Sequence, residues 1–206
     1  MSLKKLEKAI RKKLEENDPA HDYNHIMRVL KNAKKIAKKE DVNMKVITAA
    51  VLLHDVISYP KSDPRSKKSS IESAKASRKI LKNYRFTQIQ IDAIADAIRD
   101  HSFSRGVTPS TIEGKILQDA DRLDALGAIG IARTFSVGGA ENRPFYYSKD
   151  PFCKRRFPDD KSWTVDHFYK KLLLLEKTMN TNTGRAEARK RISMMKKFLD
   201  QLKKEI

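Results

Sequence analysis

Apolar residues recur every three to four positions along most of the chain, the spacing that places them on one face of an α-helix. The first run ends near Asn17-Asp18-Pro19, where turn-forming residues stop the helix. A loop of about 137–161, rich in glycine, proline and aromatic residues, interrupts the pattern. The predicted helices cover 3–14, about 22–37, 44 to about 55, a stretch from 69, a stretch from 87, about 111–135, about 162–175 and about 185–204.

Three capping boxes predict helix starts, because each pairs a side-chain oxygen with an acid or amide that satisfies free backbone N–H groups. These boxes are Ser69-x-x-Glu72, Thr87-x-x-Gln90 and Ser110-x-x-Glu113. In the helix that follows the third box, Gly127 and Gly130 allow close packing or a bend. No segment reads convincingly as a strand, so the predicted fold class is all-α.

The length of 206 residues suits one domain of good size and is short for two full ones. We therefore expect a single domain over 1–206, with a helical core of about 19–136 and a loop and C-terminal helices over 137–206. No internal repeat or low-complexity linker divides the chain. The predicted architecture is a helical bundle with additional C-terminal helices.

The composition favours amphipathic helices with wide solvated faces, since 39% of the residues are hydrophobic and 34% are charged. The formal net charge of +18 raises the hypothesis of a nucleic-acid partner, because clustered lysines and arginines neutralise phosphates. Much of the charge lies in segments such as 4–8 and 189–197, where basic residues alternate with apolar ones. Solvated helix faces explain this better than a nucleic-acid surface, and no zinc-finger or RNA-binding signature accompanies it.

The cellular location is indicated by what the chain lacks. Its longest apolar stretches, 49–53 and 172–175, are too short to cross a bilayer, and residues 1–5 have no signal-peptide core. The single cysteine, Cys153, excludes an intramolecular disulfide and fits a reducing compartment. We expect a cytoplasmic protein without a membrane partner, and the oligomeric state is left open.

The candidate chemistry centres on His54-Asp55, which follows the apolar run 46–53. An imidazole and a carboxylate are costly to bury together unless something binds them. His25 lies upstream in the first turn of a predicted helix, and Asp121 lies inside a later one. These residues offer two nitrogen and two oxygen ligands, a set that suits a divalent cation with open positions for water.

The order of a histidine, a His-Asp pair and a distant aspartate on helices resembles the HD superfamily of metal-dependent phosphohydrolases. Asp22-x-x-His25-x-x-Arg28-Val29 resembles the opening motif of that family, and Ala120-Asp121-Arg122-Leu123 resembles its last-aspartate motif. The closest similarity is to a branch of mostly uncharacterised bacterial and archaeal HD hydrolases. Further segments similar to that branch are Pro60-Lys61-x-x-Pro64, His101-Ser102-Phe103-Ser104, Gln118 to Ala128, Asp150-Pro151-Phe152 and Asp166-His167-Phe168.

The resemblance implies an HD-domain helical bundle in which His25, His54, Asp55 and Asp121 hold one divalent ion, such as manganese, magnesium, iron or nickel. It further implies hydrolysis of a phosphate ester or anhydride by metal-activated water. A nucleotide is the favoured substrate, with pyrophosphate release from nucleoside triphosphates the favoured outcome. Asp55 is the first choice for the catalytic carboxylate. The alternative is a non-catalytic helical module that senses a nucleotide or binds nucleic acid.

Four other residues are candidates for substrate binding. Lys61 and Arg65 lie in the loop after His54-Asp55 and are placed to clamp a phosphate, although the same loop also reads as an ordinary polar turn. Arg28 lies near His25 on the same helix face and contacts either a phosphate or a base, or pairs with Asp22 or Asp119. Asp124 binds a ribose hydroxyl or orients a metal-bound water.

Related HD enzymes with two or three metals recruit extra histidines between the His-Asp pair and the final aspartate, but only His101 is available here. A substrate contact or proton donation to the leaving group is therefore favoured for His101 over metal ligation. The alternative is a histidine that ends a helix without a further role. One departure from the family concerns the general base. Some branches carry an acidic residue just after the His-Asp pair, where this chain has Val56-Ile57-Ser58-Tyr59. The base is therefore Asp55, another carboxylate such as Asp124, or none.

Overall fold

The computed structural model describes residues 3–14, 23–59 and 63–206. Within those residues the chain forms nine α-helices and no strand, which confirms the all-α prediction. The helices are α1 Leu3–Leu14, α2 Tyr23–Ala37, α3 Met44–Leu53, α4 Ser69–Leu81, α5 Gln88–Asp100, α6 Ile112–Asp124, α7 Gly127–Ala140, α8 Asp166–Lys170 and α9 Asn182–Glu205. Three 3-10 helices accompany them: Pro64–Lys68, Phe103–Arg105 and Leu172–Thr178. Among the helices described, none is long and apolar enough to span a membrane.

The chain divides into two compact units, Met1–Asp121 and Arg122–Ile206. The boundary falls inside α6, directly after Asp121. The expectation of one domain over 1–206, with its core at 19–136, stays a prediction.

The first unit is built around α3, which is buried along almost its whole length. Helices α1, α2 and α5 all pack against α3, and α4 packs against α5. This central position explains why the sequence of α3 is a continuous apolar run rather than an amphipathic stripe. Asn43 caps α3 by accepting hydrogen bonds from the backbone N–H groups of Lys45 and Val46, and His54 ends the helix. His54 and Asp55 therefore lie at the C-terminal end of the central helix of this unit.

The capping boxes divide into one that forms and two that do not. Thr87 and Gln90 make both reciprocal hydrogen bonds at the start of α5. The box at Ser69 is wrong, because a 3-10 helix runs directly into α4 and no side chain caps it. Glu72 instead accepts a hydrogen bond from the hydroxyl of Tyr59, at 2.6 Å.

The third box is displaced by one residue. The hydroxyl of Thr111, not Ser110, accepts from the backbone N–H of Gly114 at 3.1 Å. Glu113 accepts from the backbone N–H of Asn43, at 3.2 Å, and so binds α6 to the start of α3. The glutamate thus serves a contact between helices rather than the cap of its own helix.

The predicted helix of 111–135 is wrong as a single element, because α6 ends at Asp124 and α7 begins at Gly127. Gly127 has φ +74°, a left-handed conformation that glycine adopts without a steric penalty. A side chain at Gly130 would collide with the carbonyl of Ala125, so the turn and the first residues of α7 approach closely. The two glycines mark a break between two helices.

In the second unit, α7 packs against α9, and the 3-10 helix Leu172–Thr178 packs against both α8 and α9. Phe135, Phe168 and Phe198 form an aromatic cluster with ring centroids 5.9 to 6.2 Å apart. The predicted helix of about 162–175 is wrong in length, since α8 covers five residues and a 3-10 helix follows. Lys171 between them has φ −137°, which interrupts helical geometry.

Candidate metal centre

Two buried histidines meet in the first unit. His25 lies in the first turn of α2, as predicted, and His54 ends α3. Both are fully buried, and their Nε2 atoms are 3.2 Å apart. Because α2 packs along α3, two residues separated by 29 positions point at one place.

The tautomer of His54 follows from its surroundings. Its Nδ1 lies 2.8 Å from the carbonyl oxygen of Val51, which only accepts hydrogen bonds, so Nδ1 carries the proton and donates. Burial lowers the pKa of His54, which favours the neutral ring. Its Nε2 therefore presents a lone pair toward His25, as a metal ligand does.

Two carboxylates complete the cluster. Asp55 Oδ2 lies 3.4 Å from His54 Nε2 and 3.6 Å from His25 Nε2. Asp121 Oδ1, from α6, lies 3.9 and 3.6 Å from the same two nitrogens. The side chains of Asp55 and Asp121 are 16% and 29% exposed, whereas the imidazoles of His25 and His54 are completely buried. The cluster is thus closed on its histidine side and open to solvent on its carboxylate side.

The pKa of Asp121 favours the ionised form at neutral pH. Burial acts to raise this pKa, but the positive charges that His25, His54 and His101 carry when protonated lower it by more, so that it lies below the ordinary value. A divalent ion would take the place of those ring protons, because it binds neutral imidazole nitrogens and ionised carboxylates.

The separations between these atoms fit a bound cation. Ligands in neighbouring positions of an octahedral ion lie about 3 Å apart, because bonds of about 2.1 Å meet at right angles. His25, His54 and Asp121 each offer one ligand atom, and these atoms lie within 4.8 Å of one another. A mixed set of imidazoles and carboxylates suits manganese, magnesium, iron, nickel or zinc, and it does not choose between them.

A second group of the same kind contains His101. His54, Asp55 and His101 also place ligand atoms within 4.8 Å of one another. His101 ends α5 and donates from Nδ1 to the carbonyl of Ile98 at 2.6 Å, so its Nε2 presents a lone pair when the ring is neutral. That Nε2 lies 3.8 Å from Asp55 Oδ1. The structure therefore brings His101 to the second carboxylate oxygen of Asp55.

Two buried amides that sequence reasoning missed hold the helices around this cluster. Asn32, two turns after His25 on α2, donates to the carbonyl of Ala120 at 3.1 Å, directly before Asp121. Gln118 on α6 donates at 2.9 Å to the carbonyls of Asp100 and Val107. Both partners are backbone carbonyls, which every residue carries, so no sequence motif marks these contacts.

The four residues predicted to bind substrate differ in exposure and in their contacts. Arg65 is 65% exposed, donates to Asp63 at 2.7 to 3.1 Å and lies over the ring of Tyr59. Arg28 is half-buried on α2, and Lys61 lies outside the described residues. Asp124 is buried in the second unit and accepts a hydrogen bond from Arg133 at 2.7 Å. The substrate contacts of these residues stay predictions.

Comparison with known proteins gives the family. A model of the HD domain matches residues 22–126, a span that contains all four candidate ligands. The uncharacterised protein YpgQ of Bacillus subtilis is 34% identical over 198 residues, covering 94% of this chain and 88% of its own.

Solved structures agree over nearly the full chain. The crystal structure of Bacillus subtilis YpgQ in complex with ADP has a TM-score of 0.76 at 32% identity, covering 99% of this chain and 94% of that one. An HD-superfamily hydrolase of Bacillus thuringiensis has a TM-score of 0.75 at 35% identity, covering 98% and 95%. The fold is therefore that of the HD-superfamily hydrolases.

Proposed function

This chain belongs to the HD domain family, and from that premise we propose that it is a divalent-metal-dependent phosphohydrolase acting on a nucleotide. His25, His54, Asp55 and Asp121 are the proposed ligands of the ion. The observation that carries the proposal is the approach of two imidazole Nε2 atoms to 3.2 Å, with a carboxylate oxygen of each aspartate 3.4 to 3.9 Å from them. A cation bound among these nitrogens and oxygens would stabilise their close approach.

Asp55 is the proposed catalytic carboxylate because its two oxygens face different partners. Oδ2 lies toward His25 and His54, and Oδ1 lies toward His101. The first oxygen would thus bind the ion, and the second would orient the attacking water by accepting its hydrogen bond. A bound divalent ion would lower the pKa of that water and polarise the phosphoryl group under attack.

His101 is the proposed proton donor to the leaving group. The carbonyl of Ile98 fixes the proton on its Nδ1, so Nε2 donates only when the ring carries a second proton. That Nε2 lies 3.8 Å from Asp55 Oδ1. Asp55 would accept the proton of the attacking water, and a doubly protonated His101 would give its Nε2 proton to the leaving group.

A nucleotide substrate, with pyrophosphate release from nucleoside triphosphates, is the favoured reaction. The similar protein YpgQ was crystallised in complex with ADP, which supports a nucleotide ligand for this chain as well. The net charge of +18 favours phosphorylated ligands generally. Arg28, Lys61 and Arg65 are the proposed phosphate contacts, and Asp124 the proposed ribose contact.

The test is hydrolysis by metal-stripped protein. The protein is assayed against nucleoside triphosphates, nucleoside monophosphates and a phosphodiester, with manganese, magnesium, nickel or zinc added back. Turnover is expected to require metal, and chromatography of the products separates pyrophosphate from phosphate release. Asp55→Asn is expected to reduce kcat by at least about 10³-fold, and His101→Gln by about 10²-fold.

Arg65→Gln tests one of the proposed phosphate contacts, and its expected effect is a higher KM with kcat unchanged. Absence of turnover with every metal and substrate would contradict the proposal. That result would favour the alternative, a nucleotide-sensing or nucleic-acid-binding module.

A further inference from the structure

A chain of alternating charges runs across the surface of α4 and α5. In order, its members are Asp92, Arg78, Asp96, Arg99, Asp100 and Arg105. Each interior member contacts a residue of opposite sign on both sides. The chain begins with a carboxylate on α5 and ends with a guanidinium in the segment after α5, so its last member has one neighbour only.

Arg105, that last member, is weakly paired. Arg99 donates to both oxygens of Asp100, at 2.9 and 2.6 Å, whereas Arg105 approaches the same carboxylate to 3.4 Å. The Nε of Arg105 is buried, and no described residue accepts a hydrogen bond from it. A buried donor without an acceptor is costly, so an anion that reached Arg105 would gain a strong charge-assisted contact.

The segment that carries Arg105 is fixed in place. One buried amide, that of Gln118, donates to the carbonyl of Asp100 before the segment and to that of Val107 after it. Within the segment, Gly106 has φ +62°, and its N–H donates to the carbonyl of Phe103 at 3.1 Å. This turn is a built element rather than a loose loop, as a binding element needs to be.

The segment begins at the candidate metal centre. His101, whose Nε2 lies 3.8 Å from Asp55, is its first residue, and Phe103 follows two positions later with 43% of its surface exposed. Four residues span at most about 14 Å, and the 3-10 turn Phe103–Arg105 shortens that distance. Phe103 and Arg105 therefore lie two and four residues after His101, on a segment that starts at the cluster.

We propose that Phe103 and Arg105 form the recognition half of the substrate site, in which Phe103 stacks on the base of a nucleotide and Arg105 binds one of its phosphates. The proposal rests on the proposed function and names its substrate class, a nucleoside di- or triphosphate. Arg65 differs from Arg105 in that Asp63 occupies its guanidinium through three hydrogen bonds. Of these two arginines, Arg105 has the greater capacity for a new anion.

The experiment measures binding rather than turnover. ADP is titrated by calorimetry into the full-length protein loaded with Mn²⁺, and Arg105→Gln is expected to weaken ADP binding about 10- to 100-fold. Arg78→Gln is the matched control, since Arg78 belongs to the same chain of charges and contacts carboxylates on either side. Its expected affinity is within about twofold of the unmodified protein.

Two further variants separate the two contacts. Phe103→Leu is expected to weaken ADP about tenfold while leaving the affinity for inorganic triphosphate unchanged, because stacking requires a base. Arg105→Lys keeps the charge and is expected to bind ADP more tightly than Arg105→Gln but less tightly than the unmodified protein. Thermal unfolding of each variant checks that it folds, and Arg105→Lys carries the test if Arg105→Gln does not.

The outcomes distinguish this inference from the proposed function. Unchanged ADP affinity in both Arg105→Lys and Phe103→Leu would overturn the inference even if the protein hydrolyses nucleotides. ADP binding that depends on Arg105 in a protein without turnover would support the inference and overturn the hydrolase proposal. Equal losses for ADP and inorganic triphosphate in Phe103→Leu would overturn base stacking by that ring.

Discussion

The two units of this protein each bury carboxylates, and they treat them in opposite ways. In the second unit Asp166 is fully buried and surrounded by donors: Arg156 binds both of its oxygens, one at 2.8 Å, and the backbone N–H of Asp159 donates to it at 2.7 Å. In the first unit, Asp55 Oδ2 lies 3.4 and 3.6 Å from two imidazole nitrogens. Asp166 accepts hydrogen bonds from a guanidinium and a backbone N–H, whereas Asp55 lies beside two imidazole nitrogens of a candidate metal centre.

This difference separates a structural carboxylate from the proposed catalytic one. Arg156 also donates to the carbonyl of Asp150 at 3.1 Å and lies over the ring of Tyr147, so Asp166 and Arg156 together fix the loop before α8. Every contact there stabilises the fold without a ligand. In the proposed function, the cluster of His25, His54, Asp55 and Asp121 would gain its stability from a bound cation. Burial and a motif-like sequence are common to both regions, and the balance of donors and acceptors distinguishes them.

The largest predicted effect concerns Cys153, which lies beside Asp166. Burial, a hydrogen bond to Asp166 and the negative charge of that carboxylate raise the pKa of the Cys153 thiol to about 12. At pH 8 we expect alkylation by iodoacetamide to be on the order of 10³-fold slower than for an ordinary thiol, because the thiolate is the nucleophile.

The same protein unfolded in urea is the reference for this measurement, followed by mass spectrometry over time. A folded-state rate within about tenfold of the unfolded rate would show that the second unit does not suppress the thiolate. The rate should also be independent of added Mn²⁺, since no candidate ligand lies in that unit.

The next prediction compares two isosteric substitutions. Asp166→Asn is expected to lower the free energy of unfolding by about 3 kcal/mol, because it leaves the half-buried Arg156 without its counter-charge. Asp55→Asn is expected to leave the metal-free protein equally stable or more stable, because it removes a negative charge from a cluster of acceptors. Urea denaturation of both variants without metal gives the comparison, and equal destabilisation would contradict it.

Sequence patterns predicted the contacts whose partners are close together in the chain. The Thr87 box formed because Gln90 lies three residues away, and Lys45 approaches the same amide oxygen to only 3.5 Å. The Ser69 box failed because Tyr59, thirteen residues from Glu72, takes that carboxylate. Helix α3 was predicted from its apolar run. At the break between α6 and α7, Gly127 was interpreted as allowing close packing or a bend within one helix.

In the candidate site, too, the sequence indicates some residues and gives no sign of others. The four proposed ligands carry side chains of distinctive chemistry in a recognisable order, so the sequence identifies them. Asn32, Gln118 and Arg105 act through backbone carbonyls or through one shared carboxylate, and such partners have no signature in the sequence. Only the packing of α2, α5 and α6 reveals which amide meets which carbonyl.

The smallest predicted effect tests the donor and acceptor balance directly. Mn²⁺ at about 100 times its dissociation constant should stabilise the metal-stripped protein by about 2.7 kcal/mol, since the ion binds the folded state. For a chain of this length that corresponds to a rise in Tm of about 5–10 °C by calorimetry. Asp166→Asn should retain the rise, because its carboxylate is already saturated, and Asp55→Asn should lose most of it. A rise of equal size in both variants would place the ion elsewhere, and a loss in Asp166→Asn alone would reverse the roles assigned to the two carboxylates.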